Sequence, residues 1–262
     1  MPFIDIDGMR VAYEDAGTGL PIVFIPGLVG TKEWFTCQFS GLRERYRVIS
    51  YDVRPVRRLG GYALDLLSED LARFLTALKL QSAVVAGHSF GAMIAQRFAI
   101  TYRHRTDALV LISAFPRLAD APSRTLVEWM SPGNVQVESG FQAVLRRLFR
   151  SKPAASPARA EETDWLSSHA LRPSRAALDA RIALVHRFNS TQWLGDIEAP
   201  TLVIVGAKDR PPFLSGAQLL YEGIPDSALE VIEEGDHFCF YTRHDAVNDA
   251  IDEFLTERLA RL

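Results

Sequence analysis

Ser89 stands in Val84-Val85-Ala86-Gly87-His88-Ser89-Phe90-Gly91-Ala92, a Gly-x-Ser-x-Gly pattern that follows an apolar, strand-like run. The chain leaves through Ala92-Met93-Ile94-Ala95-Gln96-Arg97-Phe98-Ala99, which reads as a helix. A serine at such a strand-to-helix turn is forced into a strained backbone and held out from the sheet, where its hydroxyl can attack an electrophile. Gly87 and Gly91 lie two residues to either side, where the turn leaves no room for a Cβ. The amide of Phe90 opens the helix, where developing negative charge is stabilised. A serine hydroxyl alone is a poor nucleophile and needs a base oriented by an acid. In an open α/β sheet such groups sit at the carboxyl ends of strands. His237 follows a strand-like run at residues 229–232 and is the candidate base. Asp209 follows another at residues 202–206, after Ala207-Lys208, and is the candidate acid. Asp236 competes with it but adjoins His237, and since neighbouring side chains diverge it is expected to face solvent. Asp52 also ends a strand. His104, His169, His186 and His244 fall singly on predicted helices or in the middle segment, and no cluster has metal-ligand spacing.

The elements that must carry these groups alternate. Residues 3–6 and 10–13 form a hairpin about Asp7-Gly8. Pro21-Ile22-Val23-Phe24-Ile25 is a strand buried on both faces, followed by Pro26-Gly27-Leu28-Val29-Gly30. Thr31 is a candidate N-cap for a helix bearing Trp34, Phe35 and Leu42. A strand at 46–51 comes next, then an arginine- and glycine-rich loop, then an amphipathic helix carrying Leu67, Leu71, Phe74, Leu75 and Leu78. Strands follow at 82–86 and 108–113. Alternation stops at Phe115 and resumes near Pro200, closing with a helix at about residues 245–259. The expected fold is α/β: a mostly parallel central sheet flanked by helices. Residues 1–114 and 196–262 form its core, and residues 115–195 form an inserted helical cap.

The Ser, Asp, His order along the chain resembles the α/β-hydrolase superfamily, in its serine-nucleophile branch of esterases, enol-lactonases and carbon–carbon hydrolases. The matching pieces are Gly87-His88-Ser89-Phe90-Gly91, the acid loop Thr201-Leu202-Val203-Ile204-Val205-Gly206-Ala207-Lys208-Asp209, and Gly235-Asp236-His237-Phe238. The resemblance implies Ser89 as nucleophile, His237 as general base and acid, and Asp209 as the carboxylate orienting His237. It implies backbone amides of Leu28 and Phe90 as the oxyanion hole, and a packing role for His88. Two departures stand out. Pro26-Gly27 replaces the common His-Gly, and Arg54-Pro55-Val56-Arg57-Arg58-Leu59-Gly60-Gly61 replaces a glycine-rich turn. A serine at position 89 sets the chain apart from the dehalogenase and epoxide-hydrolase branches, which use aspartate there. Besides the oxyanion residues, candidate pocket residues are Val29, Trp34, Met93, Phe115, Trp129, Phe141, Trp165 and Phe238, mostly apolar. Cleavage of a small to medium apolar ester or lactone through an acyl-enzyme is the leading expectation, with no cofactor and no metal. The cap is expected to set specificity, not chemistry. Hydrolysis of a carbon–carbon bond in a diketo acid is an alternative that needs a cationic pocket. Residues 115–195 hold eleven Lys/Arg against seven Asp/Glu, an excess that solvated helix faces largely explain. A non-enzymatic small-ligand receptor on the same fold is a further alternative.

The 262 residues, 48% hydrophobic and 23% charged, suit one globular α/β domain. A net charge of −3 points to neither nucleic acid nor an anionic membrane as partner. No apolar run has membrane-span length and the amino terminus lacks signal-peptide character. Cys37 and Cys239 have no metal spacing and read as reduced thiols. The expectation is a cytoplasmic monomer or homodimer acting on a small molecule.

Overall fold

The computed structural model describes residues 2–56, 62–118, 157–171 and 173–259. Strands β1 (Phe3–Ile6) and β2 (Met9–Ala16) form the hairpin, with Ile6 opposite Met9. Asp7 and Gly8 both take positive φ, 51° and 72°, as a two-residue type I′ turn requires. Six more strands follow: β3 (Pro21–Ile25), β4 (Arg47–Tyr51), β5 (Ala83–His88), β6 (Thr106–Ile112), β7 (Thr201–Gly206) and β8 (Ser227–Ile232). They form one eight-stranded sheet in the order β1-β2-β4-β3-β5-β6-β7-β8. From β4 onward every pairing is parallel, and only the hairpin and the β2–β4 pair run antiparallel. Ile22 to Ile25, Ala83 to Ala86 and Ala108 to Ile112 are fully buried, because helices cover both faces of the central strands.

Strand order fixes where the helices go. The crossover from β3 to β4 through α1 (Thr36–Leu42) moves one way across the sheet. Those from β4 to β5 through α2 (Leu64–Ala77) and from β5 to β6 through α3 (Phe90–Thr101) move the other way. Right-handed crossovers in opposite directions put their helices on opposite faces. Accordingly α2 packs on α3, while α1 packs on the last helix, α8 (His244–Leu259). The direction reverses between β3 and β5, and a crevice opens there at their carboxyl ends.

Between β6 and β7 lie α4 (Pro157–Ser168) and α5 (Arg175–Arg187), the latter capped by Ser174, whose side chain accepts from the Ala177 amide at 3.3 Å. Then come α6 (Pro211–Gly223), α7 (Cys239–Thr242) and α8. No helix among the described residues is long and apolar enough to cross a membrane.

One local expectation is corrected. Thr31 caps no helix: its hydroxyl donates to the His169 carbonyl at 2.6 Å, and the chain passes through a 3-10 turn, Lys32–Phe35, before α1. Asp52 does the capping instead, its carboxylate accepting from the Lys32 amide at 2.9 Å. In the arginine-rich loop, Arg54 is engaged by Asp70 of α2 through Nε and, at 2.5 Å, through Nη2. Arg57 and Arg58 lie outside the described residues.

Candidate active site

Ser89 occupies the single position between the end of β5 and the start of α3, with φ 52° and ψ −111°. Positive φ is costly for a residue with a Cβ. The surroundings enforce it: the Ser89 amide donates to the Ile112 carbonyl at 3.0 Å, and the Ser89 carbonyl accepts from Ala92 at 3.0 Å. A Cβ on Gly87 would meet the Gly91 carbonyl oxygen at 2.5 Å, and one on Gly91 would collide with the Ile25 backbone. Both glycines are therefore required by close approach, as the sequence pattern suggests.

The acid and histidine loops follow neighbouring strands, β7 and β8, and are tied together by the Lys208 amide donating to the Gly235 carbonyl at 2.8 Å. His237 Nδ1 lies 3.1 Å from Asp209 Oδ2. Asp209 is 6% exposed, and its other oxygen accepts from the Arg210 amide at 2.7 Å. Asp236 is half-buried, not turned to solvent as expected. Its Oδ1 accepts from the Phe238 amide at 3.0 Å and the Thr242 hydroxyl at 3.3 Å, which shapes the start of α7.

Ser89 and His237 line one cavity with Leu28, Val29, Trp34, His88, Phe90, Phe115, Val185, Arg210, Phe213 and Phe238. Of the residues expected there, Met93 is in the core instead, 1% exposed, because α3 is packed between the sheet and α2. Trp165 stacks on His169 and Tyr241, with ring centroids 4.2 and 4.9 Å apart, and does not line the cavity. Trp129 and Phe141 lie outside the described residues. Sequence reasoning missed Val185, Arg210 and Phe213. Phe213 packs its ring 4.2 Å from that of His237, and burial pushes the Arg210 guanidinium below its usual pKa, against the opposing pull of Asp209. Placement just after the acid loop was the one available signal for the last two. Among the described residues no group of His, Cys, Asp and Glu could hold a metal ion.

Leu28 and Val29 are the central residues of a turn closed by the Gly30 amide donating to the Gly27 carbonyl at 3.1 Å. The segment carrying α4 and α5 grips this loop. Leu171 donates from its amide to the Val29 carbonyl at 2.7 Å, Arg181 donates to the Leu28 carbonyl at 2.5 Å, and Trp34 donates to the Leu166 carbonyl at 3.1 Å.

His88 is 1% exposed and lies under both loops. Its Nε2 donates to the His237 carbonyl at 2.9 Å, which leaves Nδ1 as a bare acceptor. A Cβ on Gly27 would lie 2.8 Å from that Nδ1, so the ring packs directly against the start of the Leu28–Val29 turn. Burial first, and the neighbouring His237 second, hold the His88 pKa well below 6.5. The unfolded chain therefore takes up a proton at a pH where the folded chain does not. Stability is complete above pH 6.5 and falls as pH drops below it, by up to about 1.4 kcal/mol per unit from this group. Melting temperature measured from pH 7 downward (about pH 5 as the lower end) should decline, and less steeply in His88→Gln. An equally steep decline in that variant would locate the proton uptake elsewhere.

A family model for the alpha/beta hydrolase fold matches residues 21–243. The chain belongs to the α/β-hydrolase fold family. A protein of Azorhizobium caulinodans, named as a candidate carbamate hydrolase, RutD, is 28% identical over 98% of this chain and 99% of its own length. A bromoperoxidase from Bacillus anthracis superposes with a TM-score of 0.79 at 29% identity, over 94% of this chain and 95% of its own. A thermophilic esterase from Thermogutta terrifontis does so with a TM-score of 0.81 at 25% identity, over 95% and 93%. The eight-stranded, mostly parallel sheet is that of the α/β-hydrolase fold, and membership in the family supports an enzyme.

Proposed function

We propose that this α/β hydrolase cleaves a small to medium, mostly apolar carboxylic ester or lactone through an acyl-enzyme at Ser89. The observation that carries this reading is the convergence of a strained serine and a carboxylate-paired histidine on one apolar cavity. His237 takes the Ser89 proton as the hydroxyl oxygen attacks the carbonyl carbon. Asp209, bonded at Nδ1, keeps the lone pair on Nε2 and stabilises the imidazolium. The amides of Leu28 and Phe90 hold the oxyanion. The imidazolium then protonates the leaving oxygen, and a water deprotonated by His237 releases the acid and restores Ser89. Residues 115–195 act as the cap over this site. Trp34, Phe115, Phe213 and Phe238 favour an apolar acyl group. The carbon–carbon alternative draws on Arg210, a guanidinium-bearing residue of the cavity wall.

A panel of p-nitrophenyl esters, lactones and diketo acids, run on wild type and Ser89→Ala, tests the proposal. Ester or lactone turnover lost in the variant is the expected result. Turnover of diketo acids alone would favour the alternative, and turnover of nothing would favour a receptor.

Leu28→Pro probes the oxyanion hole directly. Leu28 is the second residue of the turn that begins at Gly27, a position where proline is favoured in common turns, so the fold should accept it. The substitution deletes the amide donor and should cost roughly 10²- to 10³-fold in kcat. Leu28→Ala keeps the donor and should spare most of kcat. Near-normal kcat in a proline variant that melts like wild type would assign the donor to another group.

A further inference from the structure

Arg181 is a cation where the fold has little reason to place one. It is carried by α5, is 2% exposed, and is not part of the cavity wall. A buried guanidinium is tolerated only when its donors find partners. Here the partners are the backbone carbonyls of Leu28 at 2.5 Å, Arg54 at 3.3 Å and Val53 at 3.5 Å, together with the Tyr62 hydroxyl. Its Cζ also lies 5.7 Å from the centre of the Phe90 ring, in reach of a cation–π contact. Asp52 supplies nearby negative charge. Arg181 thus touches both residues whose amides are assigned above to the oxyanion hole, Leu28 through its carbonyl and Phe90 through its ring.

We propose that Arg181 is a positioning residue of the oxyanion hole, holding the Leu28–Val29 peptide and the Phe90 side chain from the cap. The proposal rests on the hydrolase reading. Its physical basis is the division of labour within the turn. The hydrogen bond from Gly30 to Gly27 fixes the Gly27–Leu28 peptide. Because that peptide is trans, the Leu28 N–H points opposite to the Gly27 carbonyl, away from Gly30. The next peptide, Leu28–Val29, has no partner inside the turn. A full flip of it would need positive φ at Val29, which a β-branched residue resists. Tilting remains, and tilting swings the Leu28 carbonyl. Arg181 holds that oxygen toward a group outside the cavity wall, while the Leu171 amide fixes the following carbonyl. Released, the carbonyl dipole would turn toward the developing oxyanion and oppose the stabilisation that the fixed Leu28 amide supplies. Preorganised donors work by not having to reorient when charge appears. The cap segment, expected to govern specificity alone, thereby acquires a part in the chemistry.

Arg181→Met keeps most of the apolar stem and removes every donor, and Arg181→Lys keeps one cation able to reach the Leu28 carbonyl. The full-length variants are assayed with p-nitrophenyl butyrate and normalised by titration of Ser89 with a fluorophosphonate. In Arg181→Met kcat should fall about 10- to 100-fold, with KM changed by less than about threefold. Arg181→Lys should recover part of the loss. A boronic acid, which forms a tetrahedral adduct on the serine, should weaken in step with kcat/KM, while inhibition by the product butyrate stays level. A merely structural arginine would lower the melting temperature without moving the kcat of titrated sites, and that result in either variant overturns the proposal. If the methionine variant fails to fold, the lysine variant alone decides by the same criterion. A wild type that is not labelled at Ser89 would overturn the hydrolase reading and this role with it. Labelled wild type with full kcat in the variants removes only the role of Arg181.

Discussion

Ser89→Ala should lower turnover by about 10⁶-fold, as loss of the nucleophile does in a protease triad. The residual rate would come from the oxyanion amides and from binding, which the substitution leaves in place. The fold should survive for a specific reason. Alanine carries the same Cβ as serine, so the backbone at φ 52° and ψ −111° is no more strained than before. The Ser89 amide and carbonyl bonds to Ile112 and Ala92 are main-chain bonds and persist. Ser89→Gly makes the companion control. Without a Cβ it relieves the strain, and it should be more stable than the alanine variant by about 1 kcal/mol, while equally inactive. The measurements are kcat on the preferred ester, thermal melting, and covalent labelling by a fluorophosphonate, which should mark wild type once and neither variant. Turnover that persists in the alanine variant, or a label elsewhere, would remove Ser89 from the mechanism.

Asp209→Asn is expected to cost about 10⁴-fold in kcat, the scale seen when a triad carboxylate becomes an amide. The surroundings of Asp209 dictate the direction of that loss. One carboxylate oxygen accepts from the Arg210 amide at 2.7 Å, and the other faces His237 Nδ1 at 3.1 Å. An asparagine must keep its oxygen toward the Arg210 amide to satisfy that donor. Its NH₂ then faces His237 and makes Nδ1 an acceptor. The proton moves to Nε2, and the imidazole can no longer take the Ser89 proton. Asp236→Asn should be mild by contrast, since an amide oxygen can accept from Phe238 and Thr242 as the carboxylate does. Comparing kcat of the two variants, with phosphonate labelling rates alongside, decides the matter. A larger loss at Asp236 would transfer the orienting role to it.

Much of this molecule is written locally. The turn around Ser89 is legible because Gly87 and Gly91 are demanded by backbone contacts within a few residues of each other. The strands are legible because a sheet covered on both faces needs uninterrupted apolar runs such as Ile22 to Ile25. The alternation of those runs with helices implies a parallel sheet, and the family match agrees. Strand ends pointed to Asp209 and His237, and the structure brings the two side chains within bonding distance. What resisted reading depends on partners far along the chain. Thr31 has the form of a helix cap, yet its hydroxyl is taken by a carbonyl 138 residues away. Met93 follows the Ser89 turn closely in sequence but lies in the core, since helix packing, not proximity, decides its neighbours. Val185 and Arg181 sit in a helix with no distinctive spacing, and only the docking of that helix makes one a wall of the cavity and the other a clasp on Leu28. Sequence alone determined the turn that exposes the serine and the strands that carry its partners, because short-range sterics and burial patterns are local. Tertiary structure alone decided which cation, which aromatic ring and which capping carboxylate stand around them, because those contacts exist only once distant segments are packed together.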